Sequence, residues 1–77
     1  MADCETIDLT GLFCPQVVLA LARRVRGAPP GHRVIVLSTD PLSAIDIPVF
    51  AMRNRFELVG QASDAETRTF TLLKLSE

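Results

Sequence analysis

The chain has 77 residues, near the lower limit for a self-sufficient hydrophobic core, so it is expected to form one small domain. Aromatic side chains are limited to four Phe and the formal charge is −1, which implies an aliphatic core and gives no whole-protein case for binding nucleic acid or an acidic membrane surface. No apolar run approaches bilayer-spanning length, and Met1-Ala2-Asp3-Cys4-Glu5 lacks the basic and apolar regions of a secretory leader, so a cytoplasmic protein is expected.

Glu5-Thr6-Ile7-Asp8-Leu9 alternates polar and apolar residues, the pattern of a half-buried strand, and Gly11 breaks it. Pro15 suits the first position of a helix, where its missing N–H would have no intrahelical partner and its φ is preset. That places Cys14 at or next to the N-cap, against the unpaired N–H groups and positive end of the helix. Val18, Leu21, Ala22 and Val25 then recur at i, i+3, i+4 and i+7 as one helical stripe. Arg23, Arg24 and Arg26 crowd the last turns, Gly27 is a natural C′ residue, and Ala28-Pro29-Pro30-Gly31 cannot continue the helix.

Arg33-Val34-Ile35-Val36-Leu37 is a β-branched run suited to a central strand, ending at Ser38-Thr39-Asp40-Pro41. Leu42, Ile45, Val49 and Met52 mark a second helix starting near residue 42 or 43, with an irregular first turn. Interior Pro48 leaves two arrangements: Asp40 caps a helix that kinks, or Asp46 caps a shorter one. Phe56-Glu57-Leu58-Val59-Gly60 reads as a third strand, Ala62 to Glu66 as a turn, and Thr67 to Leu75 as a fourth strand with Phe70 and Leu72 on one face. The order is βαβαββ. A right-handed βαβ crossover makes the first two strands parallel, so both helices start from one sheet edge, where open α/β sheets bind ligands.

Cys14 reads either as a thiol pushed toward the nucleophilic thiolate by the helix end or as a small buried apolar residue. A Cys4–Cys14 disulfide is disfavoured, because the intervening strand alone spans roughly 17 Å. There is no Cys-x-x-Cys, and His32, the only histidine, falls at the opposite edge, which argues against dithiol exchange and against a Cys-His hydrolase. Two cysteines and one histidine at these spacings do not make a zinc site. Asp40 reads first as a cap; Asp46 caps, pairs with an arginine, or faces the Cys14 edge. The arginine cluster is a solvated helix end or a contact surface for an acidic partner or RNA phosphate. Phe13 is a core residue or an exposed docking side chain, with core the simpler reading.

Leu9-Thr10-Gly11-Leu12-Phe13-Cys14-Pro15, followed by Pro30-Gly31, Asp40-Pro41 and Asp46-Ile47-Pro48, resembles the TusA/SirA-like family of small sulfur carriers over Ile7 to Leu75. The resemblance implies a two-layer α/β sandwich, a mixed four-stranded sheet with two helices on one face. It implies that Cys14 accepts a persulfide sulfur from a cysteine desulfurase or similar donor protein. Cys14 then passes it to an acceptor protein serving tRNA thiolation, molybdenum cofactor assembly or other sulfur metabolism. Pro15 matches the first motif proline, Gln16 a variable position, and Asp40 and Asp46 acidic positions on the same edge, while Phe13, Arg23, Arg24 and Arg26 are candidate partner contacts. The family motif is Cys-Pro-x-Pro, and Val17 replaces its second proline. Val17 restores an N–H that could serve a sulfur anion, or marks a divergent regulatory module that kept the fold without the chemistry. A monomer is expected, with no cofactor, no resident metal, no membrane contact and no direct nucleic-acid binding.

Overall fold

A computed structural model describes residues 4–13 and 15–75. Its elements are β1 (Cys4–Asp8), α1 (Gln16–Val25), β2 (Arg33–Ser38), α2 (Ser43–Arg53), β3 (Phe56–Asp64) and β4 (Thr67–Lys74). The strands form one sheet in the order β1-β2-β4-β3, with β1 parallel to β2 and the other two pairings antiparallel. This is the expected mixed α/β sandwich.

Strand alternation decides which face is covered. Ile7, Val36 and Phe70 lie side by side in register, as do Val34 and Leu72, and all are buried. Both helices close over this face: Val17, Leu21 and Val25 of α1 and Ile47, Phe50 and Ala51 of α2 join the same cluster. The facing residues Thr6, Ile35 and Thr71, and Leu37 with Thr69, form the other, partly solvated side. Complete burial of one such side chain contributes about 1.5–3 kcal/mol.

The structure moves several expected boundaries. The helix α1 begins one residue late, so Pro15 is its N-cap rather than its first residue. Its inward stripe is Val17-Leu21-Val25, while Val18 and Ala22 of the expected stripe are half-buried toward α2. Gly27 ends α1 with φ +78°, a value an L side chain resists. The first turn of α2 is irregular as expected: Ser43, Ala44 and Ile45 N–H groups reach back three residues, to Asp40, Pro41 and Leu42. The helix then runs through Pro48 to Arg53. The turn expected over 62–66 shrinks to Ala65-Glu66, because β3 pairs with β4 as far as Asp64↔Thr67. Ala65 adopts φ +54° at that turn.

At the edge where β1 and β2 begin, Glu5 ties three elements. Its Oε2 accepts from Arg24 Nη2 at 3.0 Å and its Oε1 lies 3.1 Å from His32 Nε2. His32 is therefore at the edge expected for it, serving the fold. The His32 hydrogen bond first, then Arg24, holds the Glu5 carboxyl below its ordinary 4.5. A depressed carboxyl stabilises the fold above its unfolded pKa and loses that contribution as pH falls through the folded value. Glu5→Gln should lower stability by about 0.5–1 kcal/mol near pH 7, with the difference from wild type closing below pH 4.5 in urea titrations. Ala65→Gly, which relieves the left-handed turn, should add up to about 1 kcal/mol in the same assay.

Candidate functional site

The edge where β1 and β2 end is stitched together by hydrogen bonds between their two outgoing turns. Leu9 N–H donates to Leu37 O (2.8 Å) and Gly11 N–H to Thr39 Oγ1 (3.0 Å). Asp8 starts the first turn: its Oδ1 accepts from Thr10 Oγ1 (2.7 Å) and Thr10 N–H (3.0 Å), which lowers its pKa. Gly11 has φ +88°, the bend that sends the chain toward α1.

Cys14 lies outside the described residues; its neighbours define the turn. Phe13 is 60% exposed, so the reading of it as a core residue is overturned. Its carbonyl accepts from Gln16 N–H (2.6 Å) and Val17 N–H (3.3 Å). The donor that Val17 restores is thus already bonded, and is not held in reserve for an anion as the sequence suggested. Val17 is fully buried, which accounts for an apolar residue at the position of the second motif proline. Gln16 is exposed beside Leu19 and Arg23 on the outer face of α1.

Asp40 is not the N-cap of α2 as expected, because that position falls to Leu42 with no side-chain cap bond; it closes the turn before the helix and is 3% exposed. Its N–H donates to Ser38 Oγ (3.1 Å), its Oδ1 accepts from Leu42 N–H (3.1 Å), and its carbonyl accepts from Ser43 N–H and Ser43 Oγ. Asp46 takes none of the cap roles offered to it by sequence. It lines a groove between α1 and α2 of about 420 Å³, together with Pro15, Val18, Ala22, Val49 and Arg53. Asp46 Oδ2 itself is buried, shut off from solvent, with no hydrogen-bond partner among the described residues. Asp46 and Pro15 are therefore brought together, while Asp40 is occupied in its own turn.

The three arginines separate. Arg24 is paired with Glu5, Arg23 sits on the outer face of α1, and Arg26 lies toward Lys74 and Phe56 at the far end of the helix. The stripe used to mark the second helix faces outward: Leu42, Ile45, Val49 and Met52 are exposed, Met52 by 75%. Ser43, Ile47, Phe50 and Ala51 are the buried set. Arg53 was not singled out by sequence; its place seven residues after Asp46, on the same side of α2, was the available signal.

These features define a small open-edged α/β sandwich whose Gly11–Phe13 turn leads into α1 beside a second, closely hydrogen-bonded helix-starting turn. The sequence profile of the family described as Sulfurtransferase TusA matches residues 5–74, and the chain belongs to that family. It is 41% identical over 71 residues to the sulfur carrier protein TusA of Pseudomonas fluorescens (strain SBW25), covering 92% of this chain and 86% of the relative. It is 38% identical over 71 residues to the TusA of Pseudomonas syringae pv. tomato (strain ATCC BAA-871 / DC3000), covering 92% and 84%. Against the TusA of Pseudomonas entomophila (strain L48) the figure is 38% over 72 residues, covering 94% and 90%. The expected family membership is thereby established, and with it a family of sulfur carriers. No described helix is long and apolar enough to cross a membrane.

The orientation of α2 gives a direct test. Ile47→Ala should cost about 2–5 kcal/mol in chemical denaturation, whereas Ile45→Gln and Met52→Gln should each stay within about 0.5 kcal/mol of wild type.

Proposed function

We propose that this chain is a persulfide carrier in which Cys14 takes a sulfane sulfur from a cysteine desulfurase-type donor and relays it to an acceptor protein. The observation that carries the reading is the family match over residues 5–74, which spans the Cys14-Pro15 pair. The acceptor would feed tRNA thiolation, molybdenum cofactor assembly or another branch of sulfur metabolism. In loading, the Cys14 thiolate attacks the outer sulfur of the donor persulfide. A new S–S bond forms on Cys14, the donor S–S bond breaks, and the donor cysteine leaves as its thiolate. Delivery repeats the exchange in the opposite sense.

The chain contributes a local field and a shaped edge. No acidic side chain in the first turn of α1 opposes the positive helix end, and Arg23 and Arg24 complement the other end. A helix end contributes about 0.3–1 kcal/mol when exposed and up to ~2 kcal/mol when partly buried. At about 1.4 kcal/mol per pKa unit, that raises the thiolate fraction without driving turnover. Orientation and proton handling therefore fall to the partner proteins. Phe13, exposed beside the cysteine, together with Gln16 and Arg23 on the outer face of α1, is the contact surface this reading favours. The burial of Val17 supports retention of the chemistry, since the motif change is absorbed by packing.

Incubation with a cysteine desulfurase, cysteine and pyridoxal phosphate should add one sulfur, about 32 Da, to the intact protein. The gain should vanish in Cys14→Ser and persist in Cys4→Ser. A wild-type protein that gains no mass beside an active desulfurase would overturn the carrier reading.

A further inference from the structure

The outer face of α2 carries more aliphatic surface than the fold uses. Leu42, Ile45, Val49 and Met52 are between 39% and 75% exposed, and they project from the side of the helix opposite the core set Ser43, Ile47, Phe50 and Ala51. Together they expose a patch on the order of 400 Å², within the range of the largest patch on a typical monomer, which is often functional. That also approaches the apolar share of what one partner contributes to a standard interface, about 800 Å² in all.

The spacing of the four residues is three, four, three, which gives the a and d positions of a heptad, the seam along which one helix packs on another. Laid antiparallel on a copy of itself, this seam is self-complementary. Leu42 falls opposite Met52 of the second copy and Ile45 opposite Val49, and a two-fold axis repeats both pairs. Antiparallel helices also set their dipoles head to tail.

The charges at the two ends of the seam differ in sign. Arg53 and Arg55 stand exposed at its C-terminal end. At its N-terminal end, Glu66 lines a depression with Thr39, Pro41 and Arg68. Glu66 and its neighbour Asp64 are exposed while Arg68 is half-buried, so the charge presented to solvent there is acidic. The register that pairs Leu42 with Met52 sets Arg53 opposite Pro41 of the second copy and Arg55 opposite Thr39, over that depression. An anionic lipid surface would be repelled at the acidic end, whereas a partner with the same arrangement laid head to tail matches both ends. We propose that α2 is a self-association face, through which two copies of this chain pair antiparallel as a two-fold dimer in place of the monomer expected from the sequence. Dimerisation is independent of sulfur carriage, so its failure would leave the loading of Cys14 untouched.

Sedimentation equilibrium of the full chain tests the pairing, with a thiol reductant present because Cys4 is exposed. The mass should rise from one chain to two, and no further, as the protein is concentrated to about 1 mM. Ile45→Gln and Met52→Gln lie outside the core and should keep the wild-type circular dichroism, yet each should raise the dissociation constant at least about tenfold. Arg53→Glu and Glu66→Arg should each raise it about 3–10-fold, and the two combined should return it to within about twofold of wild type. A wild-type chain that keeps the mass of one copy throughout, or a dimer unaffected by both glutamine variants, would overturn the inference. Failure of the combined charge exchange to restore pairing would overturn the antiparallel register and the dimer built on it. A monomer that instead binds phosphatidylglycerol vesicles, and loses that binding in Met52→Gln, would assign the face to a lipid surface and overturn it as well.

Discussion

The parallel pairing of β1 with β2 is the constraint on which the rest of the structure depends. Five residue pairs, from Cys4↔Arg33 to Asp8↔Leu37, set the register, and Leu9 N–H and Gly11 N–H extend it into the turns. Because the strands run the same way, α1 and α2 must both start at one edge and return over one face. A single shift in that register would turn Ile7 outward and separate the Gly11 turn from Thr39. The opposite edge is closed by Glu5 with Arg24 and His32, so the first crossover is fastened at both ends.

The second turn at the functional edge is polar yet buried, which is costly unless every group is matched. Ser38 and Ser43 are fully buried and Asp40 nearly so. Their bonds are reciprocal across six residues: Ser38 receives from Asp40, Asp40 receives from Leu42 and Ser43, and none of these contacts needs solvent. The result is a stiff platform directly beneath the start of α2. Asp40 therefore acts on the neighbouring turn by fixing backbone, whereas Asp46, three residues beyond Ser43, lines the groove while its buried Oδ2 has no hydrogen-bond partner among the described residues. Two aspartates that look equivalent in sequence have different physical duties.

The strands and the first helix were legible because their signals are local: alternation in Glu5–Leu9, β-branching in Arg33–Leu37, and the Gly27 stop after α1. The edge placement followed from handedness alone. The second helix was located but turned the wrong way round, because Leu42, Ile45, Val49 and Met52 outweigh Ser43 and Ala51 in any hydropathy pattern. The sheet prefers the smaller set, since Ser43 and Ala51 let the helix backbone come close while Ile47 and Phe50 fill the core. The outer half of β3, Gln61-Ala62-Ser63-Asp64, carries no alternation and is held by main-chain pairing with β4, so no side-chain pattern announced it. The meeting of Pro15 with Asp46 and Arg53 depends on how two helices pack, which periodicity within either helix does not encode.

If Cys14 carries sulfur as proposed, the start of α1 favours a sulfur anion without committing to it. Phe13 O engages the N–H groups of both Gln16 and Val17, so the first-turn donors stabilise the turn itself rather than waiting for a ligand. Beyond those two bonded donors, the summed dipole of the helix acts on an anion, with an effect that is modest and screened by salt. A stronger cradle of free amides would hold a persulfide more tightly, but a tightly held sulfur is slow to leave, and a carrier must both load and unload. Weak, long-range stabilisation at the helix end leaves the exchange nearly balanced. On the proposed reading, the direction of transfer is then set by the thiols that meet Cys14, and by which of them the adjoining surface retains longest.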